Sequence, residues 1–196
     1  MKPLLAALLS LLVLTSTVRG QPTAHLSGLY RSAADFRQHR LALSGDCTTG
    51  KYRLLLNELL SRPYVTVVQP DRKYIVLKDS LFGFRDCAGR EYRFADNNRY
   101  YPILNPGEEL LIYKVEQKPM GRQPGYRKLY FSATATAPIQ PLTLLALKQA
   151  FPTSYRLHDS LDAQFREQDD LAVFDDFHKM TKINWLLQRS RSVAGK

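Results

Sequence analysis

The most suggestive chemical motif in the chain is the loop Gly45-Asp46-Cys47-Thr48-Thr49-Gly50-Lys51. It fits the pattern G-x-x-x-x-G-K, in which backbone amides and a lysine side chain hold the phosphates of a nucleotide. Tyr52, however, stands where a serine or threonine hydroxyl should hold Mg²⁺. The phosphate loop also belongs to a parallel βαβ sheet, whereas the strands of this chain are expected to be antiparallel. We therefore interpret the segment as a solvated glycine-rich turn and expect no nucleotide cofactor.

The histidines and the paired aspartates do not form a catalytic or metal-binding pattern. The chain contains neither H-E-x-x-H, C-x-x-C nor G-x-S-x-G, and no histidine has a partner at metal-ligand spacing; the four are His25, His39, His158 and His178. Asp169-Asp170 and Asp175-Asp176 fall on a predicted helix, where adjacent side chains point about 100° apart and do not converge. Helix electrostatics explains acidic residues near a helix N-terminus. We predict no catalytic residue, no metal site and no cofactor.

Basic and aromatic residues alternate in three places: Tyr92-Arg93-Phe94, Arg99-Tyr100-Tyr101 and Tyr126-Arg127-Lys128. Stacking platforms for single-stranded nucleic acid use such residues. Half-buried strands produce the same alternation, and we favour that interpretation. The segment from Lys118 to Lys128 is more distinctive, because it is basic, contains two prolines and two glycines, and joins two predicted strands. It is either a mobile connection or a binding loop, whose candidate residues are Lys118, Arg122, Arg127 and Lys128.

The chain has two cysteines, Cys47 and Cys87. An oxidising compartment allows a disulfide. Closing a loop of about 41 residues would stabilise the fold by about 4 kcal/mol on the chain-entropy account. Two cysteines permit only one pairing, but their spacing does not place them side by side in the fold. A disulfide and two free thiols therefore both stay open.

The middle of the chain has the pattern of an antiparallel sheet. From Tyr64 to about Ala135, short runs rich in Val, Ile, Tyr and Phe alternate with turn residues, which predicts a β-meander of about five to seven short strands. The runs are Tyr64–Val68, Lys73–Lys78, Phe82–Arg85, Glu91–Ala95, Tyr100–Leu104, Leu110–Glu116 and Arg127–Ala133. Turns are predicted at Asp86-Cys87-Ala88-Gly89 and at Asn105-Pro106-Gly107, and these connections are too short for parallel crossovers.

Helices are predicted on both sides of the strands. Ser32, with Asp35 three residues later, favours a helix over Ala33 to His39. A leucine-rich segment favours another over Tyr52 to Leu60. Later helices are expected around residues 144–151, 160–168 and 170–188, and in the last of these Trp185 shares an apolar face with Leu171, Phe174 and His178, which predicts that it is buried. The fold class is therefore α+β, with the meander packed against C-terminal helices.

The first twenty residues have the three parts of a secretory signal peptide. Lys2 supplies a positive charge, Leu4 to Leu14 is an apolar run of 11 residues, and Val18 and Gly20 precede a predicted cleavage site at Gln21. The run is shorter than the ~20 residues that span a membrane; a retained anchor is the alternative. We predict a signal peptide at residues 1–20 and a single α+β domain at 21–196, secreted or periplasmic, with no transmembrane segment after cleavage.

The chain is basic, with 28 Lys and Arg against 18 Asp and Glu. The domain without Lys2 and Arg19 keeps a net charge of +8. Such charge favours encounters with anionic surroundings, although it also serves solubility alone. The favoured interpretation is a basic exported protein that binds no polyanion, and its partner is unknown. An anionic envelope component is the candidate partner that the charge suggests, and nucleic acid is not favoured.

Several segments taken together resemble a known group of proteins. They are Gly83-Phe84-Arg85, residues 89–94 (GREYRF), residues 100–104 (YYPIL), Leu111-Ile112-Tyr113, Tyr130-Phe131-Ser132, Leu142-Thr143 and Asp175 to Leu187 with Ile183-Asn184. This order resembles small secreted proteins of Bacteroidetes bacteria that have no assigned function. The resemblance spans about residues 28–190, implies an exported bacterial protein and carries over no functional residue. Cys47 and Cys87 are not part of the pattern.

Two functional hypotheses follow from the sequence. The favoured one is a non-enzymatic, envelope-associated or extracellular binding module, because the chain combines a signal peptide and basic charge with no catalytic motif. The alternative is a hydrolase that acts on an envelope polymer, with catalytic residues scattered through the fold. A cleft with converging His, Asp or Glu side chains would favour the hydrolase, and a flat surface with a basic loop would favour the binding module.

Overall fold

The computed structural model describes residues 25–57, 62–117, 125–166 and 170–192. The predicted signal peptide and two residues of the candidate binding loop, Lys118 and Arg122, lie outside the described residues. No helix within the described ranges combines the length and the apolar character that crossing a bilayer requires.

The described residues form thirteen short strands and four α-helices. The strands are β1 (Leu26–Tyr30), β2 (Ala42–Asp46), β3 (Arg53–Leu55), β4 (Tyr64–Val68), β5 (Lys73–Leu77), β6 (Gly83–Arg85), β7 (Glu91–Phe94), β8 (Tyr100–Pro102), β9 (Leu111–Gln117), β10 (Tyr126–Ser132), β11 (Gln140–Pro141), β12 (Phe174–Asp175) and β13 (Met180–Thr181). The helices are α1 (Ala33–Arg37), α2 (Leu144–Ala150), α3 (Tyr155–Gln164) and α4 (Lys182–Ser192).

All strand pairs in the described ranges are antiparallel. A five-stranded sheet has the order β2-β1-β6-β7-β8. The β3–β5 sheet and the β9–β11 sheet each consist of three consecutive neighbours, and β12 pairs with β13 as a hairpin. A bridge between Ile103 and Tyr113 connects the end of β8 to β9. Within the described ranges, every strand pair except β1 with β6 joins strands that are consecutive in the chain, as expected for a meander.

Alternation along the strands sorts the core into three layers of side chains. Leu29 and Phe84 of the five-stranded sheet pack against Val65 and Val67 of the β3–β5 sheet. Tyr30, the next residue on β1, belongs to a second cluster with Leu111 and Tyr113 of β9. On the other face of β9, Leu110 and Ile112 pack with Leu147, Leu157, Leu161 and Leu187 of the helices. Since successive strand residues point to opposite faces, one short strand contributes side chains to two hydrophobic clusters.

The α+β class and the antiparallel meander are confirmed. Each of the seven predicted runs between Tyr64 and Ala133 corresponds to a strand, and no end is displaced by more than two residues. The Gly89 amide donates to the Asp86 carbonyl at 3.0 Å and the Glu108 amide to the Asn105 carbonyl at 3.1 Å, so both predicted turns form. The Ser32 side chain accepts from the Asp35 amide at 3.1 Å and begins α1.

The predicted helix over Tyr52 to Leu60 is wrong within the described residues. Residues 53–55 form β3, which pairs with β4 through Leu54 opposite Val67. Leu54 packs against the core between the two sheets, whereas Leu55 is exposed. The leucine run fits both periods, and pairing with the β-branched strand β4 selects the extended conformation.

The predicted long helix over Asp170 to Gln188 is also wrong. The hairpin β12–β13 takes its first half, and α4 begins only at Lys182. The Asp175 carboxylate accepts from the amides of Phe177 and His178, and Lys179 has a φ of +56°, so the chain turns before the helix begins. Aspartate competes with the helix by bonding nearby amides in this way. As a result Phe177 is 88% exposed, and Trp185 is half-buried rather than buried.

Candidate functional site

Cys47 and Cys87 are joined by a disulfide, with their Cα atoms 5.7 Å apart. Cys47 begins a 3-10 turn directly after β2, and Cys87 lies in the turn between β6 and β7. In each turn the preceding aspartate accepts from backbone amides, Asp46 from Thr48 and Asp86 from Ala88 and Arg90. The bond therefore links the edge strand of the five-stranded sheet to its middle.

The glycine-bounded loop at residues 45–51 has the geometry of a closed turn. Both the amide and the hydroxyl of Thr48 donate to Asp46, and these bonds hold the pKa of the Asp46 carboxyl below its ordinary value. Gly50 has a φ of +66° and ends the turn, and Tyr52 is buried beyond it. β2 pairs antiparallel with β1, so the loop does not lie in a parallel βαβ unit.

Three of the four histidines place a ring nitrogen within hydrogen-bond distance of an oxygen atom. His158 Nε2 lies 2.9 Å from the Phe151 carbonyl, His178 Nδ1 lies 2.8 Å from Asp175 Oδ2, and His39 Nδ1 lies 3.3 Å from Glu91 Oε1. The bond from the His178 ring, and after it the bond from the His178 amide, hold the pKa of the Asp175 carboxyl below its ordinary value. Within the described residues no serine, threonine or cysteine side chain bonds to these rings. The arrangement required for a histidine-activated nucleophile is thus not assembled there.

Two of the four candidate loop residues lie on β10. Arg127 is exposed and lies 3.8 Å from the Asp170 carboxylate, and the Lys128 ammonium lies 5.0 Å from the centre of the Tyr126 ring. Both side chains remain accessible. Tyr126 connects them to a larger concave surface, which the sequence did not single out.

That surface is a groove formed by two cavities of about 530 and 520 Å³ that share Asn97, Arg99 and Tyr101. Tyrosines dominate the first cavity, whose lining also includes Lys78, Asn98, Tyr100, Val115, Tyr126 and Tyr130. The second continues along Arg93, Phe94, Ala95, Thr136, Pro138 and Ile139. We call these residues together the tyrosine groove.

A short irregular loop presents Arg99 at the centre of the groove. Asn97 and Asn98 have φ values of +61° and +59°, a left-handed conformation that asparagine tolerates better than most residues. The Ala95 amide donates to the Arg99 carbonyl at 2.9 Å and closes the loop. Lys78, which is buried, donates to the Asn98 carbonyl at 3.3 Å and supports the loop from below.

The tyrosine rings are held in place by edge-to-face packing. Tyr101 lies 5.4 Å from Tyr130 and 6.1 Å from Tyr113, in both cases nearly perpendicular. Arg93 donates to the Tyr113 hydroxyl at 3.1 Å and to the Ala137 carbonyl at 2.9 Å, so it fixes the floor. Tyr126 is 44% exposed and forms an open wall. Such a surface is preorganised for stacking against a flat ligand.

Three cationic side chains, Lys78, Arg93 and Arg99, line the groove. Arg99 is exposed, and among the side chains that the structure describes, which do not include that of Asp96, no carboxylate lies within ion-pair distance of it. Cations on the walls of a cleft concentrate anionic ligands there.

Searches of protein families, of characterised proteins and of solved structures give no match to this chain. The groove therefore has to be interpreted from its own geometry. Its tyrosines and Arg99 stood in segments whose alternation half-buried strands explained equally well, and Tyr101 does pack into a core. The sequence signal that could have distinguished them is Asn97-Asn98, two residues that favour a left-handed loop before β8.

Proposed function

We propose that the protein is an exported, non-enzymatic binding module that holds an acidic polysaccharide of the bacterial envelope in the tyrosine groove. The observation that supports this most is the combination of accessible tyrosine rings with the exposed Arg99 in one groove. The apolar faces of sugar rings pack on aromatic side chains, while guanidinium and ammonium groups pair with carboxylates. The continuity of two cavities suits a chain of sugars better than a single small molecule.

The hydrolase alternative has less support. The described residues bring one histidine to a buried carboxylate, His39 to Glu91, but without a nucleophile bonded to the ring. Cleavage of the polysaccharide by the wild-type protein, followed as a gain in reducing ends, would favour the hydrolase over the binding module.

Binding is tested by isothermal titration calorimetry of the purified domain with polygalacturonate, compared with neutral dextran and single-stranded DNA. We expect saturable binding of the acidic polysaccharide only, weakened by salt because exposed charges are screened. Arg99→Gln should weaken it about tenfold, since a charge-assisted hydrogen bond contributes about 1.5–3 kcal/mol, and Tyr126→Ser should weaken it less.

The matched control is Arg53→Gln, which removes the same charge from the exposed side of β3. It should leave the affinity unchanged. Equal affinity for DNA and for polygalacturonate, or equal losses in Arg99→Gln and Arg53→Gln, would contradict the proposal. Export is tested separately: mass spectrometry of the protein from its native host should find an N-terminus at or near Gln21, and a membrane-embedded product that begins at Met1 would contradict it.

A further inference from the structure

A cavity separate from the tyrosine groove lies at the opposite end of β7. Its volume is about 590 Å³, and its polar lining is Arg85, Glu91, His39 and Ser44. Leu26, Leu41 and Pro106 give it apolar walls, and Gly89 completes the rim. The tyrosine groove shares none of these residues, so the two sites are separate.

Arg85 and Glu91 face each other in this cavity with unsatisfied polar atoms. They are directly opposite on the paired strands β6 and β7. Glu91 is 5% exposed, and both its Oε2 atom and the Arg85 Nε atom are buried without a hydrogen-bond partner. No carboxylate of the described residues pairs with the Arg85 guanidinium. Buried polar atoms in native proteins nearly always have a partner, which is a protein group, a water molecule or a ligand, so these two atoms mark where the cavity can bind polar groups.

The other oxygen of Glu91 fixes its neighbours in place. Oε1 accepts from the Tyr30 hydroxyl at 2.7 Å and contacts His39 Nδ1 at 3.3 Å. The His39 side chain is 57% exposed, so it covers Glu91 at the mouth of the cavity without filling it. A Cβ atom at position 89 would lie 3.5 Å from Arg85 Nη2, and glycine there leaves that side of the guanidinium open.

We propose that this cavity binds a small hydroxy acid, free or as the terminal uronic acid of a glycan. The Arg85 guanidinium holds the carboxylate, and Glu91 Oε2 accepts from the neighbouring hydroxyl when the His39 ring turns outward. Leu26 and Leu41 contact the carbon skeleton. A ligand with an acceptor and a donor side by side satisfies both orphaned atoms, whereas a simple carboxylate satisfies only the arginine.

The test compares lactate with propionate, which lacks the hydroxyl, by calorimetry and by chemical-shift changes of the Gly89 and Glu91 amides. Lactate should bind saturably and more tightly than propionate. Arg85→Gln should weaken lactate about tenfold or more, and Glu91→Gln should abolish the preference for lactate. The matched control is Arg90→Gln in the same turn, whose guanidinium is exposed and already paired with Asp86 at 2.8 Å.

Trigalacturonate distinguishes the two sources of the hydroxy acid. If Arg85→Gln weakens the trimer more than lactate, the cavity holds a glycan end; if it weakens lactate alone, the ligand is a free acid. Absence of saturable lactate binding to the folded wild-type protein, or binding unaffected by Arg85→Gln, would overturn the proposal. Because Arg99→Gln changes only the tyrosine groove, failure at one site is visible independently of the other.

Discussion

The Tyr30 hydroxyl and the Glu91 carboxylate form a buried polar contact in the five-stranded sheet. Tyr30 is fully buried and donates to Glu91 Oε1 at 2.7 Å. Burial first, and then the bond to Glu91, raise the pKa of the Tyr30 hydroxyl well above its ordinary value. Burial also raises the pKa of Tyr52 and Tyr92. The folded protein therefore holds these protons more tightly than the unfolded chain does.

This shift predicts a loss of stability in alkali. A group whose folded pKa is raised contributes its full stability below the unfolded pKa, about 10 for tyrosine, and loses it as the pH rises above that value. We expect the free energy of unfolding, measured by urea denaturation, to begin to fall at about pH 10 and to go on falling as the pH rises further. Tyr30→Phe should cost about 1–3 kcal/mol at pH 7, because Glu91 loses a donor, and should show a smaller further loss in alkali.

The matched control is Tyr155→Phe, since Tyr155 is 73% exposed. It should follow the wild-type curve at every pH. An alkaline loss in Tyr30→Phe as large as that of the wild type would show that Tyr30 does not carry the effect.

Local turns and caps could be predicted from the sequence more readily than contacts between residues on different strands. The cysteines allowed one pairing, and Ser32 and Asp86 formed the expected cap and turn. By contrast, Arg85 and Glu91 lie on either side of a turn, and the register of the β6–β7 pair decides whether they face each other. Register depends on long-range packing, which a local pattern does not contain.

At the scale of elements, a buried asparagine attaches the last helix to the sheets. Asn184 of α4 is 1% exposed and bonds both backbone groups of Leu110: its Oδ1 accepts from the amide at 3.0 Å, and its Nδ2 donates to the carbonyl at 2.9 Å. Asn105, in the turn before β9, donates to the same carbonyl at 2.8 Å. The helix is therefore positioned by directional bonds as well as by its apolar face.

Asn184→Leu should destabilise the fold by about 2–3 kcal/mol. The substitution keeps the branching of the side chain at Cγ but leaves the buried Leu110 amide without an acceptor, and such a group costs about 1–3 kcal/mol. Gln188→Ala, at an exposed position of the same helix, should change the free energy of unfolding by less than about 0.5 kcal/mol. Urea unfolding followed by circular dichroism measures both. Similar stabilities for the two variants would show that packing alone holds the helix.

The elements that the sequence predicted well are those with one strong local signal. β4 and β5 combine β-branched residues with closing turns, and no helical period competes with them. The C-terminal segment failed because its apolar residues match a helix, while Asp175 and the left-handed Lys179 impose a turn. The prediction of β3 failed because three consecutive leucines fit the helical and the strand period equally well, and only pairing with β4 decides their conformation.

At the scale of the whole molecule, the disulfide joins two cysteines that are 40 residues apart in sequence. The loop that it closes contains the β3–β5 sheet and β6. Fixing a loop of this length restricts the unfolded chain and stabilises the fold by about 4 kcal/mol on the chain-entropy account. Reduction, or replacement of both Cys47 and Cys87 by alanine, should therefore lower the melting temperature by about 10 °C for a domain of this size. Differential scanning calorimetry with and without reductant measures the difference.

The same change should separate the two proposed sites. Cys47 follows the strand that carries Ser44, and Cys87 lies in the turn that carries Gly89, so the disulfide braces the cavity of Arg85 and Glu91. The tyrosine groove lies at the far end of β7 and has no residue in either turn. The double alanine variant, below its melting temperature, should bind polygalacturonate as the wild type does but lactate more weakly. Two titratable thiols in the natively purified protein would rule out the bond, and equal loss at both sites would show that it supports the fold as a whole rather than one end of the sheet.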